Sequence, residues 1–236
     1  MIIAIDGPAG AGKSTVARLV AKKLGFLYID TGAMYRALTL KALDMHMDIK
    51  DEARLIQMAY DSRIDLKNKP DGSLMVYLDN KDVTKDIRAP RITQFVSDIA
   101  KIRGLRDAML KIQRGLGQRQ DAVLEGRDIG TVVFPEAENK FYLDANFKAR
   151  VMRRYKELKD DGQKITLNYI EDDVLRRDKI DSTREVAPLK KAEDAIYIDT
   201  THMTIEEVVD TILKRILKAK ANTVKLKLPA NKPQNE

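Results

Sequence analysis

Short unbroken apolar runs alternate along this chain with longer stretches whose apolar residues recur three and four positions apart. Residues 2–6 form the first run, and a glycine-rich turn separates it from residues 13–24, where Val16, Leu19, Val20 and Leu24 keep helical spacing. The pattern predicts strand, loop, helix. A second strand is expected over residues 26–29, and a helix then starts at Asp30-Thr31-Gly32, with Asp30 or Thr31 as its N-cap, and runs through Met45. Residues 62–86 change character: short, partly alternating segments are broken by Pro70-Asp71-Gly72 and Asn80-Lys81-Asp82, as in a small antiparallel β unit.

Pro90 is placed to open one long helix to about Gly115, with Ile92, Phe95, Val96, Ile99, Ile102, Leu105, Met109, Leu110 and Ile112 as its apolar stripe. Residues 122–124 and 141–143 read as buried strands, 147–159 and 170 to about 179 as charged helices, and 195–199 as a last strand before a helix over 205–217. Strands alternating with helices imply an α/β domain on a parallel sheet. We therefore expect one domain over residues 1–218, with 62–86 an insertion and 219–236 a basic, frayed tail rich in Lys, Asn and Pro.

Composition narrows the chemistry. The 236 residues include no cysteine and two histidines, which excludes disulfides and thiolate zinc and leaves any metal to oxygen ligands. The opening run is too short and too soon interrupted by glycines for a signal peptide, and no apolar run approaches spanning length, so a cytoplasmic protein without membrane contact is expected. The net charge of +7 raises the question of nucleic acid, but several excess lysines (Lys218, Lys220, Lys225, Lys227, Lys232) fall in the tail. No obligatory nucleic-acid partner is expected, and the protein is read as a monomer.

Gly7-Pro8-Ala9-Gly10-Ala11-Gly12-Lys13-Ser14 satisfies G-x-x-x-x-G-K-[ST] between a buried strand and an amphipathic helix, the context the motif's mechanism requires. Glycines let backbone N–H groups converge on phosphates, Lys13 reaches the outer ones, and the Ser14 hydroxyl is suited to Mg²⁺. A glycine turn that merely caps a helix would explain neither residue. A GTPase is a second reading, because Asn68-Lys69-Pro70-Asp71 formally matches N-K-x-D; yet it falls in the insertion, and no glycine has an aspartate three residues before it, which removes D-x-x-G. Pro70-Asp71-Gly72 is better taken as turn chemistry.

The remaining signals are arginines and acids at strand ends, where open α/β sheets bind ligands. Arg127 and Asp128 follow the strand 122–124, Arg36 follows the second strand, and Arg177, Asp181 and Arg184 are spaced to share one side of a helix. Arg150, Arg153 and Arg154 lie at i, i+3 and i+4 on the helix that follows residues 141–143. Taken singly, each arginine could equally be a surface ion pair.

Four blocks carry a resemblance to the bacterial cytidylate kinases among the nucleoside monophosphate kinases. They are Ile3 to Thr15 around the glycine loop, Asp30-Thr31-Gly32-Ala33-Met34-Tyr35-Arg36, Glu125-Gly126-Arg127-Asp128-Ile129-Gly130-Thr131-Val132-Val133-Phe134-Pro135, and Arg184-Glu185-Val186-Ala187-Pro188-Leu189. The resemblance implies a P-loop kinase fold with five parallel strands, a lid at about 147–165, and a nucleotide-acceptor insertion enlarged by the β unit. It implies ATP as donor, held by residues 7–15 with Mg²⁺, and CMP or dCMP as acceptor. Arg36, Arg127 and Arg184 would then clamp the acceptor phosphate, Ser97, Arg106 and Asp128 read the cytosine, Arg177 and Asp181 meet the sugar, and Thr31 line the pocket. Lys13, Arg127, Arg153 and Arg154 would serve the transfer, with Arg150, Arg153 and Arg154 as the lid's cationic face. The alternatives are a kinase of the same fold acting on UMP, AMP or a non-nucleotide acid, and a nucleotide switch that contacts RNA through its tail.

Overall fold

A computed structural model describes residues 1–160 and 162–226, with side chains described as far as Lys218. In chain order, β1 (Ile2–Asp6) leads through the glycine loop to α1 (Lys13–Leu24), β2 (Leu27–Asp30) and α2 (Thr31–Asp44). Then come α3 (Glu52–Tyr60), β3 (Ile64–Asn68), β4 (Leu74–Leu78), β5 (Lys81–Asp82) and a 3-10 turn at Asp86–Arg88, followed by α4 (Pro90–Ala100) and α5 (Arg103–Gly117). The chain continues with β6 (Ala122–Gly126), a π turn at Ile129–Val133, β7 (Asn139–Asp144), α6 (Phe147–Asp160), α7 (Leu167–Thr183), β8 (Ile196–Asp199) and α8 (Ile205–Leu226).

Five strands form one parallel sheet in the order β2-β6-β1-β7-β8. Successive residues of β1 serve opposite faces: Ile3 and Ile5 join Val16, Val20, Val208 and Ile212 of α1 and α8, whereas Ala4 joins Leu38, Ile92, Leu105 and Met109 of α2, α4 and α5. Burial on both faces explains why these strands read as unbroken apolar runs. Register sets Asp6 beside Gly126 and Asp30 beside Glu125, so the loops after β1, β2 and β6 leave the sheet side by side.

Residues 62–86 form the expected antiparallel unit, a three-stranded sheet in the order β3-β4-β5. The tetrad that mimics a guanine motif supplies its turn: Lys69 N–H donates to Ser73 O and Gly72 N–H to Lys69 O, each at 2.8 Å, with Gly72 at a φ of 87° that favours glycine.

Some elements differ from the sequence reading. The single helix expected from Pro90 is two helices, broken at Lys101–Ile102, where Ile102 takes an extended ψ of 119°. Apolar spacing continues through the break, but the Arg106 guanidinium donates to Ala100 O at 3.0 Å and so satisfies a carbonyl at the end of α4, which stabilises the bend. The short α3, capped by Asp51 accepting from Arg54 N–H and burying Leu55, Met58 and Ala59, has no counterpart among the expected elements. Finally, α8 continues through residues 219–226, where a frayed tail was expected; the first helix-breaking proline comes only at Pro229. The rest of that tail, 227–236, lies outside the described residues.

Candidate active site

The strand-end loops enclose a cavity of about 720 Å³. At one end lies the glycine loop, whose residues Ala9 to Thr15 line the cavity. Gly7 and Pro8 stand behind it: a Cβ on Gly7 would meet the Leu143 carbonyl oxygen at 1.9 Å, so the loop can leave β1 against β7 only with glycine there. Gly10, at a φ of 76°, likewise approaches the backbone of Arg150. Lys13 is buried, and its ammonium donates to Pro8 O at 2.7 Å. Burial, and after it the charge of Arg127, pushes its pKa down to about 7.

At the other end a chain of ion pairs runs through the residues expected to read the acceptor. Arg106 of α5 and Arg184 beyond α7 both engage Asp128, the latter at 3.5 Å; Arg184 also approaches Asp181 at 3.8 Å, and Arg127 donates to Asp181 at 2.8 Å. Asp128 and Asp181 are buried, and Ser97 is buried on α4 across from them. Asp128 opens a π turn in which Val133 N–H reaches back to Asp128 O, and Asp6 fastens that turn by accepting from the N–H groups of Ile129 and Gly130, each at 2.8 Å. Thr31 donates to Glu125 O at 2.7 Å and so faces the same cavity.

Between these ends the cations crowd one another. Arg36 is pushed down to about 9 by burial and then by Arg177 and Arg154. Arg177 is lowered by burial and then by Arg127, with Arg154 adding to it. Among the described residues, the Nε atoms of Arg154 and Arg177 are buried without a hydrogen-bond partner. A cavity that gathers Lys13, Arg36, Arg127, Arg154 and Arg177 while pairing them incompletely is built for an anion of high charge.

The three arginines of α6 share one side of the helix but not their partners. Arg150 is buried and donates to Ala145 O and Ala9 O, tying the helix to the glycine loop, so its place on a cationic lid face is corrected. Arg153 donates to the Thr200 hydroxyl at 2.9 Å and to its carbonyl, and Arg154 pairs with Glu157 at 2.9 Å; both line the cavity.

Several lining residues escaped the sequence reading. Glu125, buried at the end of β6, accepts from Tyr28 Oη at 2.6 Å and lines the cavity with Ser14. Burial, then the neighbouring Asp30, raises its pKa to about 7. Its position as the last acid of a buried strand was a usable signal. Tyr35 lies under the Arg106 guanidinium, 5.4 Å from ring centroid to carbon. Thr200, Met203, Thr204 and Ile205 line the cavity beyond Arg153, and the rule that ligands bind past strand ends, applied to β8, would have found them. Among the described residues no group of three acidic or histidine side chains is placed to hold a metal, so an ion here would rely on Ser14 with ligand oxygens.

Comparison with known proteins agrees with this architecture. The sequence model of the family described as cytidylate kinase matches residues 3–218. Cytidylate kinases of Clostridioides difficile (strain 630) and Lactobacillus johnsonii are 49% and 48% identical over 216 and 222 residues, covering 92% and 94% of this chain and 98% and 96% of theirs. That of Bacillus licheniformis is 48% identical over 214 residues, 91% of this chain and 95% of its own. A solved structure of an uncharacterised protein from Eubacterium ventriosum matches with a TM-score of 0.50 at 11% identity, over 92% of this chain and 98% of that one, a likeness of fold alone. With a phosphate loop and an arginine-lined cavity on the strand ends, and relatives matched along nearly their whole length, this chain belongs to the cytidylate kinase family.

Proposed function

We propose that the protein transfers the γ-phosphoryl group of ATP to CMP or dCMP, and that the crowding of Lys13, Arg36, Arg127, Arg154 and Arg177 in one cavity is the observation that carries this reading. Two phosphate-bearing substrates meeting end to end would relieve that crowding. Backbone N–H groups from Ala9 to Thr15, with Lys13, would hold the donor phosphates, while Arg36, Arg127 and Arg184 would hold the acceptor phosphate. Thr200, Met203, Thr204 and Arg153 border the donor end and suit the adenine and its ribose.

The acceptor pocket has the polarity that cytosine demands. Its exocyclic amine donates and its ring nitrogen and carbonyl accept, so the base needs an acid beside donors, which Asp128, Arg106 and Ser97 supply. Arg177 and Asp181 would meet the sugar, and Thr31 the pocket floor. UMP reverses the pattern at two positions and would leave buried groups unpaired.

The residues also fit Mg²⁺. The Ser14 hydroxyl lines the cavity together with the carboxyl groups of Glu125 and Asp30, oxygen donors of the kind Mg²⁺ takes. Bound with ATP, the ion would neutralise oxygens of the β- and γ-phosphates. Ser14 would ligate it, with Glu125 and Asp30 orienting its waters.

Transfer needs no covalent intermediate on the protein. An acceptor phosphate oxygen, already ionised near pH 7, attacks the γ-phosphorus in line, the bond to the β-bridging oxygen breaks, and ADP leaves. Lys13, Arg127, Arg153 and Arg154 would stabilise charge along that path, and the segment about 147–165 would close over the donor and exclude water. The chain would act as a monomer in the cytoplasm; no described helix is long and apolar enough to cross a membrane. Coupled ADP release with Mg-ATP against CMP, dCMP, UMP, AMP and GMP tests the reading. Selective turnover of CMP and dCMP is expected; hydrolysis without an acceptor, or preference for another monophosphate, would refute it.

A further inference from the structure

Among the described residues, strand β2 is an edge strand, paired only with β6. Leu27 turns its N–H toward that partner, to Asp121 O at 3.0 Å, and in a parallel ladder the next residue faces the other way. Tyr28 therefore presents both backbone groups to the open edge. The Asn68 carboxamide at the end of β3 meets both: Oδ1 accepts from Tyr28 N–H at 2.7 Å and Nδ2 donates to the Tyr28 carbonyl at 3.1 Å. One side chain stands where a neighbouring strand would, and a bare edge is closed.

A second tie lies three residues on. Lys22 of α1 donates to Asp71 O at 3.2 Å, and its methylenes lie against Gly72. Past these ties the insertion stands off from the core across a second cavity of about 600 Å³, bordered by Arg18, Lys69, Thr84 and Arg88. From the clip, the ladder β3-β4 leads to Val83, which accepts from Ile87 N–H at 3.1 Å, and so to the Asp86–Arg88 turn and α4. Arg88 and Ser97 on that wall face the main cavity.

We propose that Asn68 is a positioning residue for the acceptor site: it clips the insertion's hairpin to the edge of the core sheet and so holds the wall carrying Arg88 and Ser97 at the spacing an acceptor nucleotide needs. The proposal rests on the reading of that cavity as the acceptor pocket. Asn68 itself is exposed, and its two hydrogen bonds go to the backbone of Tyr28, a residue assigned to neither substrate.

The test is Asn68→Ala in the full chain, with Lys22→Ala as a second, weaker break of the same attachment. Losing two hydrogen bonds of ordinary net strength should lower the clipped population enough to raise the KM for CMP by about three- to tenfold. The KM for ATP and kcat should stay at wild-type values, a split that general destabilisation would not give. Amide exchange reads the clip directly: Tyr28 should exchange faster in Asn68→Ala while Leu27, bonded to Asp121, keeps its protection. Unaltered exchange at Tyr28 would overturn the clip, and faster exchange with an unaltered KM for CMP in both variants would overturn its positioning role. If the native chain turns over no CMP, the acceptor-site reading fails and the positioning role with it, a result distinct from either of these.

Discussion

Replacing Asp128 with asparagine separates base reading from folding. The Asp128 carboxylate is buried between two buried arginines, Arg106 and Arg184, and breaking a buried pair outright costs about 3–5 kcal/mol. Asparagine keeps one acceptor oxygen, and both arginines keep other partners: Arg106 the Ala100 carbonyl and the Tyr35 ring, Arg184 the Ala187 carbonyl at 2.7 Å and Asp181. A stability loss nearer ~2 kcal/mol is expected, lowering Tm by about 4–8 °C in a domain of this size. The effect on catalysis should be larger and selective. A hydrogen bond to a charged group is worth about 1.5–3 kcal/mol, so kcat/KM for CMP should fall by about 10- to 100-fold. UMP, which gains nothing from a carboxylate at that position, should be almost unaffected. Coupled ADP release at a temperature where the variant is folded by circular dichroism measures both. A CMP-to-UMP preference equal to that of the wild type in a folded variant would refute Asp128 as the base reader.

Two other perturbations follow from buried charge. Lys13→Met removes a cation already destabilised by burial and by Arg127, so kcat should fall by about 100- to 1,000-fold while thermal unfolding shows a Tm no lower than wild type; activity within tenfold of wild type would count against Lys13 as a phosphate ligand. Asp6, raised from 3.8 to about 6 mainly by burial, binds its proton more tightly folded than unfolded, so its cost to stability is absent below pH 3.8 and grows as pH rises through 6. Asp6→Asn should therefore gain about 1 kcal/mol relative to wild type between pH 5 and pH 7 in denaturant unfolding, whatever its offset from losing one acceptor, and a pH-independent difference would exclude this linkage.

Local patterns made much of the molecule legible. The apolar run 2–6, the glycine loop and the helical spacing beyond it recover β1, the phosphate cradle and α1, because each rests on neighbours in sequence. Alternation of strands and helices gave the parallel sheet, and broken alternation with proline and glycine marked the insertion. The bend between α4 and α5 was illegible, since apolar spacing runs straight through it and the guanidinium that stabilises it comes from Arg106, beyond the break. Arg150, Arg153 and Arg154 look equivalent at helical spacing, yet their partners, Ala9, Thr200 and Glu157, scatter them over different surroundings.

By itself the sequence determined the class of fold, the phosphate loop and the residue types that gather at the strand ends, because turn chemistry, periodicity and motif spacing are local properties of the chain. Tertiary structure alone decided that Arg106, Asp128 and Arg184 share one ion-pair network, that Glu125 and Ser14 line one cavity, and that Asn68 closes the edge of β2. Each of those contacts joins residues from separate elements, and their energies arise from burial and charge proximity, which exist only once the sheet and its helices have packed.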